Sequence, residues 1–307
     1  GKTWKNKGLK NSEHIGMIKV HPNNSNCVFV AAYGPLWSSG GERGLYKSND
    51  GGENWDLILE VDKHTGINEV HIDSKNPNIM YATAHQRRRH VFTYVGGGPG
   101  SKIYKSQDGG ENWVELKNGL PNSVMGRIGM AVSPVNSDML YAIIEAEKDK
   151  QGLYKSNDRG ASWSKVNKYV TSGNYYQEIV CDPKDEDVLY FMDTWLHHSE
   201  DGGKTIVKTG EKSKHVDNHC MWIDPNNNKH WIVGCDGGVY ETWDKASNWS
   251  FKPNLPVTQF YKVAVDNDFP FYNIYGGTQD NNTQGAPSRT DNIHGIRNAD
   301  WFIILGG

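Results

Sequence analysis

The sequence predicts an all-β fold assembled from repeats, and three observations predict it. The first is a recurring box. SNDGGENW at 48–55 returns as SQDGGENW at 106–113 and SNDRGASW at 156–163, and more weakly as SEDGGKTI at 199–206 and TWDKASNW at 242–249. The second is the period. Asp50, Asp108, Asp158, Asp201 and Asp244 follow one another at steps of 58, 50, 43 and 43 residues, the size of one four-stranded propeller blade. The third is composition. Thirty-four Gly, 11 Trp and 15 Tyr among 307 residues, with 36% hydrophobic residues, suit many short strands and polar turns.

The strands can be read in order within each unit. The first strand and its turn read IGMIKVHPNN, NEVHIDSKNP, RIGMAVSPVN, QEIVCDPKDE, HCMWIDPNNN and YKVAVDNDFP. The second reads VFVAAY, MYATAH, LYAIIE, LYFMDT, WIVGCD and YNIYGG, and a third, such as GLYKSND or KIYKSQD, leads into the box. Short apolar runs bounded by Asn, Pro, Asp and Gly are the hairpin signature. Six blade-like units are visible, the first lacking its start and the last its end, with GKTW at 1–4 as the tail of another copy. Seven or eight blades are expected in a complete ring. The whole of 1–307 reads as a single propeller domain and an internal piece of a longer chain, whose other domains are expected neighbours.

The box is a structural device. Its Asp accepts backbone N–H groups of its own turn, its Gly takes a positive φ, its Ser adds a local bond, and its Trp packs between blades. Those roles fall to Ser48, Asp50, Gly52 and Trp55, then to Ser106, Asp108, Gly110 and Trp113, and then to Ser156, Asp158, Gly160 and Trp163. Ser199 with Asp201, and Asp244 with Trp249, continue the series. Looser turns are expected where the box decays, at Ile206 and Ala246.

Net charge is −3, so no global field calls for nucleic acid, and no apolar run is long enough for membrane insertion. Cys27, Cys181, Cys220 and Cys235 form no C-x-x-C pair, and no metal or cofactor is expected. Cys220 and Cys235 fall on two strands of one hairpin, as a disulfide or as free thiols.

S-x-D-x-G-x-x-W resembles the Asp-box, or BNR, repeat of sialidases, xyloglucanase-type glycoside hydrolases and sortilin-type receptors. AAYGPLWSSGGERGLYKSNDGG, AHQRRRHVF, GRIGMAVSP, YYQEI, KHVDNH and YGGTQDN further resemble large secreted bacterial BNR-repeat proteins, labelled sortilin-like or glycosyl-hydrolase-like. The resemblance spans the chain. It implies a propeller and an extracellular, cell-surface or periplasmic location, while fold alone gives no activity.

Long second-to-third-strand loops are expected at GPLWSSGGER (34–43), QRRRHVFTYVGGGPG (86–100) and TQDNNTQGAPSRTDNIHGIRNA (278–299), all on one face. Polar groups from the inner strands gather at the same mouth. Candidate ligand-binding residues there are His14, Glu69, Arg127, Tyr175, Tyr176, Gln177, His219, Asp236, Gln279 and Asp280. Glu178 and Asp217 are the candidate catalytic carboxyl groups, since glycoside hydrolysis uses a pair of them. Trp37 and Trp195 offer further surfaces for sugar rings. The HQRRRH run could grip a sulfate, phosphate or carboxylate, or serve as a solvated or interdomain patch; three consecutive arginines should diverge. The expected function is a secreted or cell-surface module recognising, and as an enzyme hydrolysing, a polysaccharide or glycoconjugate. The alternative is a non-catalytic sortilin-like protein- or peptide-binding propeller, or a scaffold in a surface assembly.

Overall fold

Alternating strands and Gly- or Asn-rich turns fold into six four-stranded antiparallel sheets and one two-stranded ribbon. The computed structural model describes residues 3–253 and 258–306. Blade 1 holds β1 (Ile15–His21), β2 (Asn24–Ala32), β3 (Gly44–Ser48) and β4 (Asp56–Leu59). Blade 2 holds β5 (Thr65–Ile72) and β6 (Met80–Gln86). The ribbon of β7 (Arg88–His90) and β8 (Thr93–Val95) interrupts it before β9 (Lys102–Ser106) and β10 (Val114–Leu116). Blade 3 is β11 (Met125–Val132), β12 (Leu140–Ala146), β13 (Gly152–Ser156) and β14 (Ser164–Asn167). Blade 4 is β15 (Glu178–Cys181), β16 (Leu189–Met192), β17 (His197–Ser199) and β18 (Val207–Lys208). Blade 5 is β19 (Asn218–Ile223), β20 (Trp231–Cys235), β21 (Gly238–Thr242) and β22 (Ser250–Phe251). Blade 6 is β23 (Lys262–Val265), β24 (Asn273–Gly277), β25 (Thr283–Pro287) and β26 (Phe302–Leu305). Among the described residues no helix is long and apolar enough to cross a membrane.

The core lies in the seams between blades. Phe29 and Leu45 of blade 1 meet Ile67, Val70 and Met80 of blade 2. Tyr81 and Ile103 of blade 2 meet Ile128, Met130 and Leu140 of blade 3. Similar clusters join blades 3 and 4 and blades 4 and 5. Each fully buried side chain of this size contributes roughly 1.5–3 kcal/mol. Among the described residues no buried apolar cluster joins blade 5 to blade 6, whose β23 and β26 are exposed along their length.

The box turns are closed by their own side chains. In the second, Ser106 Oγ accepts the Gly110 N–H at 2.9 Å and donates to Asp108 Oδ1 at 2.7 Å. Asp108 also accepts the backbone N–H and side-chain amide of Asn112, at 2.9 and 2.8 Å. These donors, Asn112 first, hold its pKa down to about 2. Trp163 is buried in the seam between blades 2 and 3.

Three expectations are corrected. The decayed boxes are not loose. Thr242 Oγ1 replaces Ser and accepts the Ala246 N–H at 3.1 Å, and Asp244 accepts the Asn248 N–H at 2.9 Å. Ala246 takes φ 69°, near the 88° of Gly52, so the turn keeps its shape at a strain of roughly 1–2 kcal/mol. Ile206 fills the Trp position and packs on the seam between blades 3 and 4. The first and last visible blades are each four-stranded: β1 to β4 form one sheet, and the TQGAP and FIIL segments complete the last as β25 and β26. For the same reason 278–299 is not one loop. The second-to-third turn of blade 6 is the tight Thr278–Asn282 reversal, closed by Thr278 N–H to Asn282 O at 3.2 Å. The cysteines are free thiols. Cys220 lies opposite Gly234 and Cys235 opposite Asn218, so neighbouring residues 234 and 235 send the two thiols to opposite faces of the sheet.

Candidate functional site

A cleft of about 880 Å³ opens between blades 5 and 6. Seven of the twelve sequence-predicted residues line it: Tyr175, Tyr176, Asp217, His219, Asp236, Gln279 and Asp280. Tyr175 and Tyr176 come from the segment before β15, Asp217 and His219 from the start of β19, and Asp236 from the turn after β20. Gln279 and Asp280 come from the blade 6 reversal. Asp217 and Asp280 hold φ of 62° and 60°, left-handed geometry that Asp tolerates better than most residues.

The blade 5 wall is preorganised. Tyr176 O–H donates to Asp217 Oδ1, and its ring stacks on His219 with centroids 5.3 Å apart. His219 Nε2 meets Asp236 Oδ1 at 3.0 Å. Burial first, then the Asp217 contact, push the Tyr176 phenol up to about 12. It therefore stays protonated at neutral pH and serves as a donor, unlike an ionised tyrosine nucleophile. Beneath this wall runs a network that sequence reading missed. Lys214 Nζ pairs with Glu211 Oε1 at 2.8 Å with both side chains buried. Asn218 Nδ2 donates to Glu211 Oε1 at 2.9 Å, and the Leu196 N–H donates to Glu211 Oε2 at 2.9 Å. The signal was KSKHVDNH itself, whose Lys sits three residues before Asp217 and four before Asn218.

The other five residues lie elsewhere. Glu178 sits in the channel rather than on the cleft, with Arg127 Nη2 donating to its Oε1 at 3.2 Å. The two candidate carboxyl groups thus do not line one cleft. Glu69 is buried, accepting the Met130 N–H at 2.8 Å and meeting His71 Nε2 at 3.0 Å. Gln177 is a strut: its Oε1 accepts the Thr171 N–H at 3.0 Å and Thr171 O–H at 2.7 Å, and its amide donates to Arg127 O at 3.3 Å. His14 lies against Gly34 O at 3.3 Å, beside Tyr33 and Arg87.

No family model matches the chain. It is 26% identical over 267 residues to a xyloglucanase of Acetivibrio thermocellus, covering 74% of this chain and 31% of that one. It is 27% identical over 249 residues to a Paenibacillus xyloglucanase, covering 76% and 21%. Rat (Rattus norvegicus) sortilin is 25% identical over 243 residues, with 74% and 26% covered. The chain thus spans less than a third of each of these relatives. Among solved structures, the Niastella koreensis GH74 enzyme superposes with a TM-score of 0.56 at 19% identity, covering 95% of this chain and 45% of that one. An ancestral GH74 enzyme gives 0.54 at 17%, covering 95% and 38%. The chain is an Asp-box β-propeller.

The Glu178 carboxyl group, paired with Arg127, is shifted toward neutrality. Burial first, then Glu69, raise the Glu178 pKa to about 7 against the opposing pull of Arg127. The ordinary value is 4.5, so between these pH values the folded state binds more protons than the unfolded chain. The contribution to stability is present below the lower value and is lost as pH rises to about 7. Urea midpoints of the propeller measured from pH 5 to 8 should fall over this window, and Glu178→Gln should flatten the fall. A Glu178→Gln profile as steep as the parent's would place the titration elsewhere.

Proposed function

We propose that this propeller recognises a polysaccharide or glycoconjugate in the cleft between blades 5 and 6, as a secreted or cell-surface module of a glycosyl-hydrolase-like protein. The observation that carries the reading is the convergence on one open cleft of exposed tyrosines and hydroxyl-bonding side chains from three blades. Tyr175 and Tyr261, both exposed, give flat apolar surface for a sugar ring, while the buried Tyr176 backs the wall by stacking on His219. Asp217, Asp236, Gln279 and Asp280 give acceptors for its hydroxyl groups. The xyloglucanase relatives point to the same ligand class. Hydrolysis would draw its two carboxyl groups from Asp217, Asp236 and Asp280, because Glu178 is tied to Arg127 away from the cleft.

A glycan array with reducing-sugar release measured on the hits tests this. Binding with release makes the cleft an active site, and binding without release makes it lectin-like. Tyr175→Ala should weaken any bound glycan by roughly threefold to tenfold, the loss of about 0.5–1.5 kcal/mol of ring contact. Absence of glycan binding, with capture of peptides on the same face, would replace this reading by the sortilin-like one.

A further inference from the structure

The 86–100 segment is an ordered arm. His85, at the end of β6, is held neutral by burial, with its pKa pushed down to about 3. Its Nδ1 meets Tyr33 O–H at 3.0 Å and its Nε2 meets Gly96 O at 3.0 Å, fixing the base of the arm. The Arg89 N–H donates to Leu36 O at 2.9 Å, joining the arm to the 34–43 loop. That loop is itself wound on the buried Arg43, whose guanidinium donates to the carbonyls of Gly40, Tyr33, Pro35 and Ser38.

The arginines of this arm do not all diverge. Arg89 pairs with Tyr94 across the ribbon, and its guanidinium lies 5.1 Å from the Tyr94 ring. Arg87, in the link between β6 and β7, lies 6.0 Å from that ring and 5.9 Å from the Tyr33 ring. Arg88 leaves by the other side, toward His64 at 3.4 Å. Two guanidinium groups therefore lie within 6.0 Å of one tyrosine ring, and among the described residues neither pairs with a carboxylate. Arg87 Nε is buried with no hydrogen-bond partner. Of the nearby carboxylates, Glu178 is held by Arg127 and Glu69 by Met130 and His71 through Oε2, with Oε1 left buried and unpartnered, and neither forms an ion pair with Arg87 or Arg89 among the described residues. Like charges held together without a counter-ion repel, and a bridging anion converts the repulsion into two charge-assisted forks. Phe92, 86% exposed at the ribbon tip, and Trp37, 60% exposed on the tied loop, set aromatic surface beside them.

We propose that Arg87 and Arg89 bridge an oxyanion carried by an acidic glycan, a uronate carboxylate or a sulfate ester, at a subsite separate from the cleft between blades 5 and 6. This rests on the reading of the propeller as a glycan-recognising module. It differs from that reading in naming the charge of the ligand and the blade 2 arm that meets it.

The test is titration calorimetry of the chain with a galacturonate hexamer and its fully methyl-esterified form, and with dextran sulfate and dextran. All four are run at low and at physiological salt. Preference for the galacturonate acid over its ester by tenfold or more identifies the carboxylate, and the same preference for dextran sulfate over dextran identifies the sulfate. The winning preference should vanish in Arg87→Gln/Arg89→Gln and persist in Arg88→Gln, with unchanged melting temperatures. Charged and uncharged forms binding alike would overturn the proposal and leave glycan recognition standing. So would a loss in Arg88→Gln as large as in the double variant, because that marks unspecific attraction. If no neutral or acidic glycan binds at all, both readings fall, and binding of polyglutamate would then assign the arm to an acidic protein partner.

Discussion

Replacing Lys214 with methionine should destabilise the propeller by about 3–5 kcal/mol, the cost of removing one member of a buried ion pair. Lys214 has no exposed side-chain surface, and Glu211 has 3%. The ammonium is walled by Tyr240 and Trp249, at 5.8 and 5.4 Å from their ring centres, so water has little access to a charge left behind. Methionine preserves the volume and removes the countercharge of Glu211, which then faces only the Leu196 N–H and the Asn218 amide. Urea denaturation of Lys214→Met and of Lys214→Met/Glu211→Gln separates two explanations. If the lone carboxylate is the cause, the double variant recovers most of the loss. If both lose equally, the packing of the lysine stem matters more than its charge. The network also grips Asn218, whose N–H donates to Asp193 O at 3.0 Å while that of Asp217 donates to Thr194 O at 2.8 Å. Loosening it should free Asp217 and Tyr176 and weaken any ligand of the cleft in parallel with stability.

That network shows which parts of the molecule a linear reading reaches. The box is legible because its chemistry is local: Ser106, Asp108 and Asn112 complete their bonds within seven residues. Strand order within a blade follows from the turns for the same reason. TQGAP was not legible as a strand, since Gly and Pro read as loop and its partners β24 and β26 settle the matter. Seven cleft residues were legible because each sits at the mouth end of an inner strand or next to one. Their sorting was not. Glu178 and Gln177 adjoin Tyr176 in sequence, yet one turns to Arg127 and the other into the seam between blades 3 and 4. Alternation along a strand separates neighbours, but the register of the adjacent blade decides what each one meets.

Gly129→Ala should be as damaging, costing more than about 3 kcal/mol. A Cβ at Gly129 would lie 1.5 Å from the Gln177 carbonyl oxygen and 2.6 Å from its carbon. Gln177 cannot retreat: it is fully buried, holds φ 83°, and is bonded through its side chain to Thr171, Arg127 and Ile143. The cost is steric, since Gly129 is not among the positive-φ glycines. Gly40→Ala is the matching control. There φ is 71° and nothing lies within 4 Å of the added carbon, so only the left-handed backbone penalty of roughly 1–2 kcal/mol is incurred. Thermal melts of the two variants should differ accordingly, and a Gly129→Ala melt no worse than that of Gly40→Ala would mean the inner strands can part. The same crowding recurs at Gly16 against Asn68 O, 2.4 Å, and at Gly66 against Tyr33 O, 2.2 Å. Inner strands converge on the channel, and backbone meets backbone where blades adjoin. The glycines are thus what allows Gln177 to strut one blade against the next, and Gln177 is flanked by Tyr176 of the cleft and Glu178 of the channel. Pushing its carbonyl outward should therefore disturb both at once, lowering ligand binding and shifting the pH dependence that Glu178 imposes.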